Sequence, residues 1–297
     1  MKIFLAGGTG VVGTRALPAL VAAGHEVTAL ARNEAKDDVV RSLGGTPIRV
    51  DLFDPDALKA AVTGHDAVIN LATSIPNVTR AARSKAWDTN ERIRSEGASN
   101  LVDSALAAGA CHLVQESIGF PYVDHGAEWI DEDWDVTHVG AFAGAGHAEA
   151  SAQRFAAEGG TGVVLRYAQF YAPEADHTVA FSKGIRRRVS LFVGPSDGYL
   201  SFVHAEDAGS AAVAALAAPS GTYNVVDDEP MTRDEAGRVI AARLGVKPPH
   251  AVPPSVLKAA PAPAKNLSRS QRMSNARFKA ATGWAPAHPS IRGSWPA

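Results

Sequence analysis

The sequence has little cysteine, almost no excess charge and no long hydrophobic run, and each shortage excludes a class of protein. Its one cysteine, Cys111, cannot form a disulfide within the chain, so we expect a reducing compartment. Cysteine and histidine nowhere cluster at the spacing of a zinc site, and we predict no metal. The 29 lysines and arginines against 31 acidic residues supply no phosphate-neutralising surface, which argues against nucleic-acid binding.

Membrane insertion and export are also disfavoured. No stretch reaches the roughly 18 uninterrupted apolar residues that a membrane span needs. Glycines end the first apolar run too early for the core of a signal peptide. We therefore expect a cytoplasmic protein without a membrane partner. At 297 residues and 46% hydrophobic content, the chain can form one large domain or two small ones.

Short β-rich apolar runs alternate with longer alanine- and leucine-rich stretches up to about residue 170, which is typical of βαβ units. The predicted strands are 2–6, 26–31, 46–50, 67–71, 112–115 and 162–166. The predicted helices are 10–23, 54–63, 89–108 and 142–158, each followed by glycine. Strands this apolar are usually buried on both faces, so the fold class is α/β with a Rossmann-type, doubly wound parallel sheet.

After about residue 170, the alternation of predicted strands and helices becomes less regular and prolines become frequent. We predict a dinucleotide-binding domain over 1–172, joined by a returning segment at 204–226 in which 221–226 adds a strand. Residues 173–203 and 227–297, including a proline-rich stretch at 248–263, are predicted to form a small substrate-binding subdomain.

A Gly-x-x-Gly-x-x-Gly variant of the dinucleotide fingerprint follows the first predicted strand and opens a helix. Glycines here permit a tight turn close to a pyrophosphate, whose charge the helix N-terminus neutralises. The alternative is a glycine-rich turn without a ligand. The residues predicted to bind the cofactor in this turn are Gly7, Gly8, Thr9, Gly10, Val11, Val12 and Gly13.

The choice of cofactor depends on the end of the second strand, where an acidic residue would bind the ribose of NAD. Arg32 stands there instead, and its guanidinium suits the 2′-phosphate of NADP, so NADPH is predicted. A solvated strand-end arginine is the alternative. Asp51 and Leu52 follow the third strand, and Asp51 is either a cofactor contact or a helix cap. Further predicted contacts at strand ends are Leu71, Ala72, Thr73, Gln169 and Phe170.

These motifs resemble the short-chain dehydrogenase/reductase superfamily, in its extended, NAD-dependent epimerase/dehydratase-like branch. The resemblance covers nearly the whole chain. Beyond the glycine turn, it is carried by Asp51-Leu52, Asn70-Leu71-Ala72 and the stretches at 165–173, 202–208, 223–226, 274–278 and 283–286.

The family's catalytic set is a serine or threonine after the fifth strand and a Tyr-x-x-x-Lys pair on the next long helix. Aligning on Glu149, which resembles the glutamate after the family lysine, places alanines, Ala141 and Ala145, at the two positions. The asparagine of the fourth helix falls near Arg94. Ser117 is either the family serine or one residue out of register. The resemblance therefore implies an atypical member.

Without the tyrosine, three proton sources stay open: a side chain such as Ser117, Tyr122 or His147, an ordered water, or a hydroxyl of the substrate beside its carbonyl. The alternative for Tyr122 is that it only packs in the core. The alternative for His147 is an ordinary surface or core position without a catalytic role.

We predict an NADPH-dependent ketoreductase that acts on a polycyclic aromatic, polyketide-type ketone, similar to enzymes that tailor angucycline antibiotics such as simocyclinone. A nucleotide-sugar epimerase or dehydratase and a non-catalytic NADP(H)-binding redox sensor are the alternatives. The expected partner is a small-molecule substrate, and the resemblance implies a homodimer.

Overall fold

A computed structural model describes residues 1–77, 80, 83–250 and 267–297 of the protein. Residues 251–266, which include most of the proline-rich stretch, lie outside the described residues. The strands are β1 (Lys2–Ala6), β2 (Glu26–Leu30), β3 (Thr46–Ile48), β4 (Ala67–Asn70), β5 (His112–Ile118), β6 (Trp129–Ile130), β7 (Thr161–Tyr167), β8 (Gln169–Tyr171), β9 (Tyr199–Leu200), β10 (Phe202–His204), β11 (Gly221–Val225), β12 (Met231–Thr232) and β13 (Arg272–Met273).

Helices connect these strands. They are α1 (Gly13–Ala22), α2 (Glu34–Ser42), α3 (Pro55–Val62), α4 (Asp88–Arg92), α5 (Ala98–Ala108), α6 (Ala143–Ala157), α7 (Asp176–Arg186), α8 (Ala205–Ala214), α9 (Arg233–Arg243), α10 (Ala276–Thr282) and α11 (Ile291–Ser294). Within the described part of the chain, no helix combines the length and apolar character that crossing a bilayer requires.

The main sheet has seven strands in the order β11-β7-β5-β4-β1-β2-β3, and every neighbouring pair is parallel. This order reverses direction between β1 and β4, which creates the crevice where doubly wound sheets bind ligands. The predicted Rossmann-type class is confirmed. The strand predicted at 221–226 returns to the sheet as β11, in parallel register with β7.

Both faces of the sheet are buried because successive side chains of each strand enter different cores. On β1, Ile3 and Leu5 belong to the core that includes α1 and α8, whereas Phe4 and Ala6 belong to the core beneath α3 and α5. A third core is formed by aromatic and aliphatic residues from the C-terminal part of the chain. It contains Tyr171, Phe192, Phe202, Met231, Ile240 and Trp295.

Three elements differ from the sequence prediction. A π-helical turn at Ile93–Gly97 separates α4 from α5, so the helix predicted over 89–108 is not uniform. Helix α2 was not predicted because it is mostly charged and has little apolar periodicity, although Asn33 caps it. Strand β5 extends to Ile118 because Glu116 and Ser117, although polar, are buried with partners.

An ion pair in the interior joins α6 to β7. Arg166 donates hydrogen bonds from Nε and Nη2 to Glu149, at 2.9 and 2.7 Å. Burial alone would raise the pKa of Glu149, but the hydrogen bonds from Arg166 and Ser117, the nearby His138 ring and the charge of Arg166 outweigh it and lower the pKa to about 2.

Replacing this carboxylate by Glu149→Gln should cost about 3–5 kcal/mol of unfolding free energy at pH 7, because Arg166 stays buried without its counter-charge. Since the pKa of Glu149 is below its ordinary value of 4.5, the stabilisation is complete above that pH and is lost as the pH falls toward 2. We therefore expect urea unfolding at several pH values to show that the difference in unfolding free energy between the wild type and the variant becomes smaller at acidic pH.

The matched control is Glu96→Gln, which breaks an ion pair with Arg92 whose side chains are both about half exposed. It should cost far less than Glu149→Gln, because solvent screens an exposed ion pair. Equal losses in the two variants would contradict a structural role for the buried pair.

Gly7 allows a second stability test, because its φ is +83° and a Cβ there would lie 2.4 Å from backbone atoms of Leu71. Gly24 has nearly the same φ, +84°, but no atom within 4 Å of the corresponding position. Gly24→Ala should therefore lose only the roughly 1–2 kcal/mol of the left-handed conformation. Gly7→Ala should lose at least about 1–3 kcal/mol more through overpacking, measured by urea unfolding. Equal losses would show that this backbone contact does not constrain the fold.

Candidate functional site

The turn after β1 has the shape that a diphosphate group requires. The Gly10 N–H bonds to the Gly7 carbonyl, and a Cβ on Gly13 would lie 2.1 Å from that same oxygen. Thr9, Gly10 and Val11 are half-buried or exposed, so the outer side of the turn is open. Among the described residues, no side chain caps the N-terminus of α1. The dipole of α1 can therefore favour an anion at this end of the helix.

The loop after β4 lies directly against this turn. A Cβ on Gly7 would clash with the backbone of Leu71 and Ala72. Asn70 holds the loop: its side-chain oxygen accepts the Ala72 N–H at 3.1 Å, and its amide donates to Gln115 at 2.9 Å. The two segments that the sequence assigned to the cofactor are thus in contact with each other. Thr73, the next residue of the loop, is half-buried.

Arg32 and Asp51 follow the neighbouring strands β2 and β3, and both side chains are exposed. No described residue forms a hydrogen bond or an ion pair with Arg32, so its guanidinium is available to a ligand. The Asp51 carboxylate accepts the Phe53 N–H, whereas Asp54 caps α3. The alternative in which Asp51 caps this helix is therefore wrong.

The remaining predicted cofactor residues differ in exposure. The Leu52 side chain is buried in the core beneath α3. Its backbone carbonyl accepts a hydrogen bond from the side-chain amide of Asn100. Gln169 and Phe170 are half-buried on β8, which pairs with β10 beyond the edge of the main sheet. These contacts stay predictions.

Ala141 and Ala145, the positions at which the family resemblance expects the tyrosine and the lysine, lie in an apolar cluster. Ala145 is fully buried and packs with Ile118 and Phe142, and Phe120 and Ala141 pack against this cluster. The rings of Phe120 and Phe142 are stacked with centroids 6.0 Å apart. None of these five side chains can donate or accept a proton. We call this cluster the apolar wall.

The Ser117 hydroxyl is buried and already engaged. It donates to Glu149 at 2.6 Å, beside the ion pair with Arg166. Ile118, the next residue of β5, belongs to the apolar wall. Both registers considered for Ser117 stay open.

Tyr122 is fully buried, and its hydroxyl is already engaged. It donates to Asn224 and accepts from Arg166, both at 2.9 Å. Burial raises its pKa to about 12, although the nearby charge of Arg166 opposes the shift. This geometry corresponds to the packing alternative and does not suit a proton donor.

His147 is exposed on α6. It lies two residues after Ala145, and two residues correspond to about 200° around a helix, so its side chain points away from the wall. The structure therefore does not bring Ser117, Tyr122 and His147 together.

A buried ion pair next to the wall was not recognised from the sequence. Arg94 donates to Glu116 at 2.5 Å, and both side chains are almost completely buried. A Cβ on Gly144, adjacent to Ala145, would lie 3.0 Å from the Cβ of Arg94. Burial raises the pKa of Glu116, and Arg94 opposes that rise. An acidic residue directly after the strand predicted at 112–115 was the available signal.

Several polar atoms around this pair are buried without a hydrogen-bond partner in the described part of the chain. They are Asn90 Nδ2, Glu91 Oε1, Arg94 Nε and Glu116 Oε2. Glu91 otherwise accepts the Gly144 N–H at 2.6 Å. Such unpaired groups are costly and concentrate at functional sites. The site therefore combines an apolar wall with a polar cluster beside it.

Comparison with known proteins agrees with this architecture. The sequence pattern of the NAD dependent epimerase/dehydratase family matches residues 3–226. A "3-diazoavenalumate denitrifying reductase" from Streptomyces sp. is 32% identical over 309 residues, covering 98% of each chain. A 2-alkyl-3-oxoalkanoate reductase from Stenotrophomonas maltophilia is 34% identical over 43% of this chain and 36% of its own.

Solved structures show the same fold. UDP-glucose 4-epimerase from Thermus thermophilus, in complex with NAD, superimposes with a TM-score of 0.76 over 98% of this chain and 97% of its own, at 22% identity. The family match spans the whole main sheet, and the Streptomyces relative spans the rest. The chain therefore belongs to the NAD dependent epimerase/dehydratase family, and it is an oxidoreductase of that family.

Proposed function

We propose that this protein is an NADPH-dependent reductase of a small aromatic, polyketide-type substrate and that its tyrosine and lysine positions take no part in proton transfer. The observation that carries the proposal is the apolar wall: Ala141 and Ala145 stand where the family resemblance places the tyrosine and lysine, and they lie in one cluster with Ile118. The half-buried members of the wall, Phe120 and Ala141, offer an apolar surface, which excludes water and suits a flat aromatic molecule.

The residues of the crevice fit a dinucleotide. The turn at Gly7 and the N-terminus of α1 would hold its pyrophosphate, and the loop at Leu71 and Ala72 would border the adjoining ribose. Arg32, exposed and unpaired among the described residues, would bind the 2′-phosphate. When bound, the cofactor supplies a hydride.

The leading substrate is a ketone with a hydroxyl beside its carbonyl. The carbonyl carbon gains the hydride, and the electron pair of the C=O π bond moves to oxygen, which needs a proton. Neither the apolar wall nor the engaged hydroxyl of Tyr122 supplies one. The neighbouring hydroxyl of the substrate can deliver its own proton to the new alkoxide.

A second candidate follows from the Streptomyces relative, whose name describes denitrifying reduction of a diazo compound. At an arenediazonium group the hydride forms a C–H bond while the C–N bond breaks, and its electron pair leaves with N₂. This reaction consumes no proton, so it is compatible with an apolar wall. Epimerase and dehydratase chemistry is disfavoured because the family resemblance assigns it to the tyrosine and lysine that are absent here.

A substrate panel separates these candidates. We expect purified protein to oxidise NADPH, followed at 340 nm, with polycyclic ketones that bear a free hydroxyl beside the carbonyl. Methylating that hydroxyl should slow turnover by about 10²–10⁴-fold, the usual contribution of a positioned acid. An arenediazonium salt is included with an enzyme-free control, and product mass reports loss of N₂.

Equal turnover of the free and methylated ketones would contradict substrate assistance, and Glu116→Gln would then test the buried acid beside the wall. Turnover of the diazonium salt alone would establish the second candidate. Tight NADPH binding without turnover of any compound would indicate the redox sensor.

Cofactor choice is tested at Arg32. Arg32→Ala should weaken NADPH binding by about 10–100-fold, because a charge-assisted hydrogen bond to phosphate contributes about 1.5–3 kcal/mol. NADH binding should hardly change, because NADH lacks the 2′-phosphate. Cofactor fluorescence gives both dissociation constants. The control is Arg41→Ala, which changes a different exposed arginine that lies on α2. Equal weakening of NADPH and NADH by Arg32→Ala would refute the assignment.

A further inference from the structure

Arg15, in the first turn of α1, lies beside the glycine-rich turn that follows β1. Its guanidinium donates from Nη1 to the Val11 carbonyl at 3.3 Å and to the Thr14 hydroxyl at 2.8 Å. That hydroxyl in turn donates to the Gly10 carbonyl at 3.0 Å. The positive charge of Arg15 is therefore held at the end of α1 where the pyrophosphate of a dinucleotide is predicted to bind.

Helix α8 fixes the stem of this side chain. Gly209 of α8 is buried, and a Cβ there would lie 2.5 Å from the Cβ of Arg15 and 2.9 Å from the backbone nitrogen of Ala16. Because the two helices touch at this point, the stem has no room on the side of α8. The guanidinium accordingly extends toward the glycine-rich turn, and 25% of the side chain is exposed.

Glu174 is the other partner of this guanidinium, and its carboxylate accepts a hydrogen bond from Arg15 Nη2. Glu174 lies between β8 and α7, in a short turn that is anchored at both ends. Ala172 and Ala175 are buried with Ala205, and the Ala175 N–H bonds to the Ala172 carbonyl at 3.2 Å. The Glu174 side chain is 52% exposed. The carboxylate can therefore leave the guanidinium by rotation of the side chain, without movement of the turn.

We propose that Arg15 binds the pyrophosphate of the dinucleotide and that Glu174 competes with the cofactor for the Arg15 guanidinium. A guanidinium presents several N–H donors in one plane, which suits phosphate oxygens. Since solvent screens the partly exposed ion pair, the two charges of a pyrophosphate can displace the carboxylate. This role rests on dinucleotide binding at the turn after β1, and it is independent of the proposed substrate and reaction.

The test measures the dissociation constants of NADPH and NADH for the full-length protein by cofactor fluorescence. Arg15→Met should weaken the binding of both by about 10–100-fold, because both contain the pyrophosphate and a charge-assisted hydrogen bond to phosphate contributes a factor of this size. Arg32→Ala, in contrast, should affect NADPH alone. The matched control is Arg238→Met on α9, where an exposed arginine also pairs with a carboxylate, that of Asp234. It should leave both constants unchanged.

Competition by Glu174 is tested with Glu174→Gln, which removes a half-exposed negative charge. This change should tighten the binding of both cofactors by roughly two- to fivefold, since an exposed ion pair is weak. In the Arg15→Met background the same change should have no effect, because no guanidinium is left to release. A gain of equal size in both backgrounds would show general charge repulsion and overturn the competition.

Thermal unfolding without cofactor shows whether each variant folds. Arg15→Lys, which keeps the charge, should recover part of the affinity that Arg15→Met loses. The phosphate role of Arg15 is overturned if the wild type and Arg15→Met bind both cofactors equally well, or if Arg15→Met weakens only NADPH binding. Failure of the wild type to bind either dinucleotide would refute the cofactor site itself and the role of Arg15 with it.

Discussion

The backbone contact between the turn at Gly7 and the loop at Leu71 is the constraint on which the site depends. A single Cβ on Gly7 would overlap the Leu71 backbone, so β1 and β4 can end side by side only with glycine there. The order of the sheet reverses at this place, and the crevice therefore opens between these two strand ends. The N-terminus of α1 and the loop after β4 then face the same space.

A second constraint sets the position of α6. The pair of Arg166 and Glu149 connects this helix to β7, and Ser117 joins it from β5. Because the pair is buried and fully hydrogen-bonded at the carboxylate, the helix has little freedom to rotate. The first turn of α6, with Ala145, and the turn before it, with Ala141 and Phe142, consequently lie against Ile118. The same interaction also engages the hydroxyl of Ser117.

The chemistry of the site reflects this division between structure and function. Hydroxyl groups that resemble catalytic ones in the sequence, on Ser117 and Tyr122, are used inside the protein. The wall is left apolar, while charge concentrates beside it at Arg94 and Glu116. A hydride acceptor that brings its own proton, or needs none, is suited to such a surface, and an acceptor that depends on a protein acid is not.

The sequence by itself determined the fold and the glycine-rich turn after β1, because apolar strands, helix stops and the glycine spacing are local signals. It also showed that Ala141 and Ala145 cannot act as acids, since alanine has no titratable group whatever its position. Only the tertiary structure decided where Ser117 and Tyr122 point, because strand register and long-range partners such as Glu149 and Asn224 are not local. The approach of Arg94 to Glu116 was equally hidden, since their spacing in the chain says nothing of their distance in space.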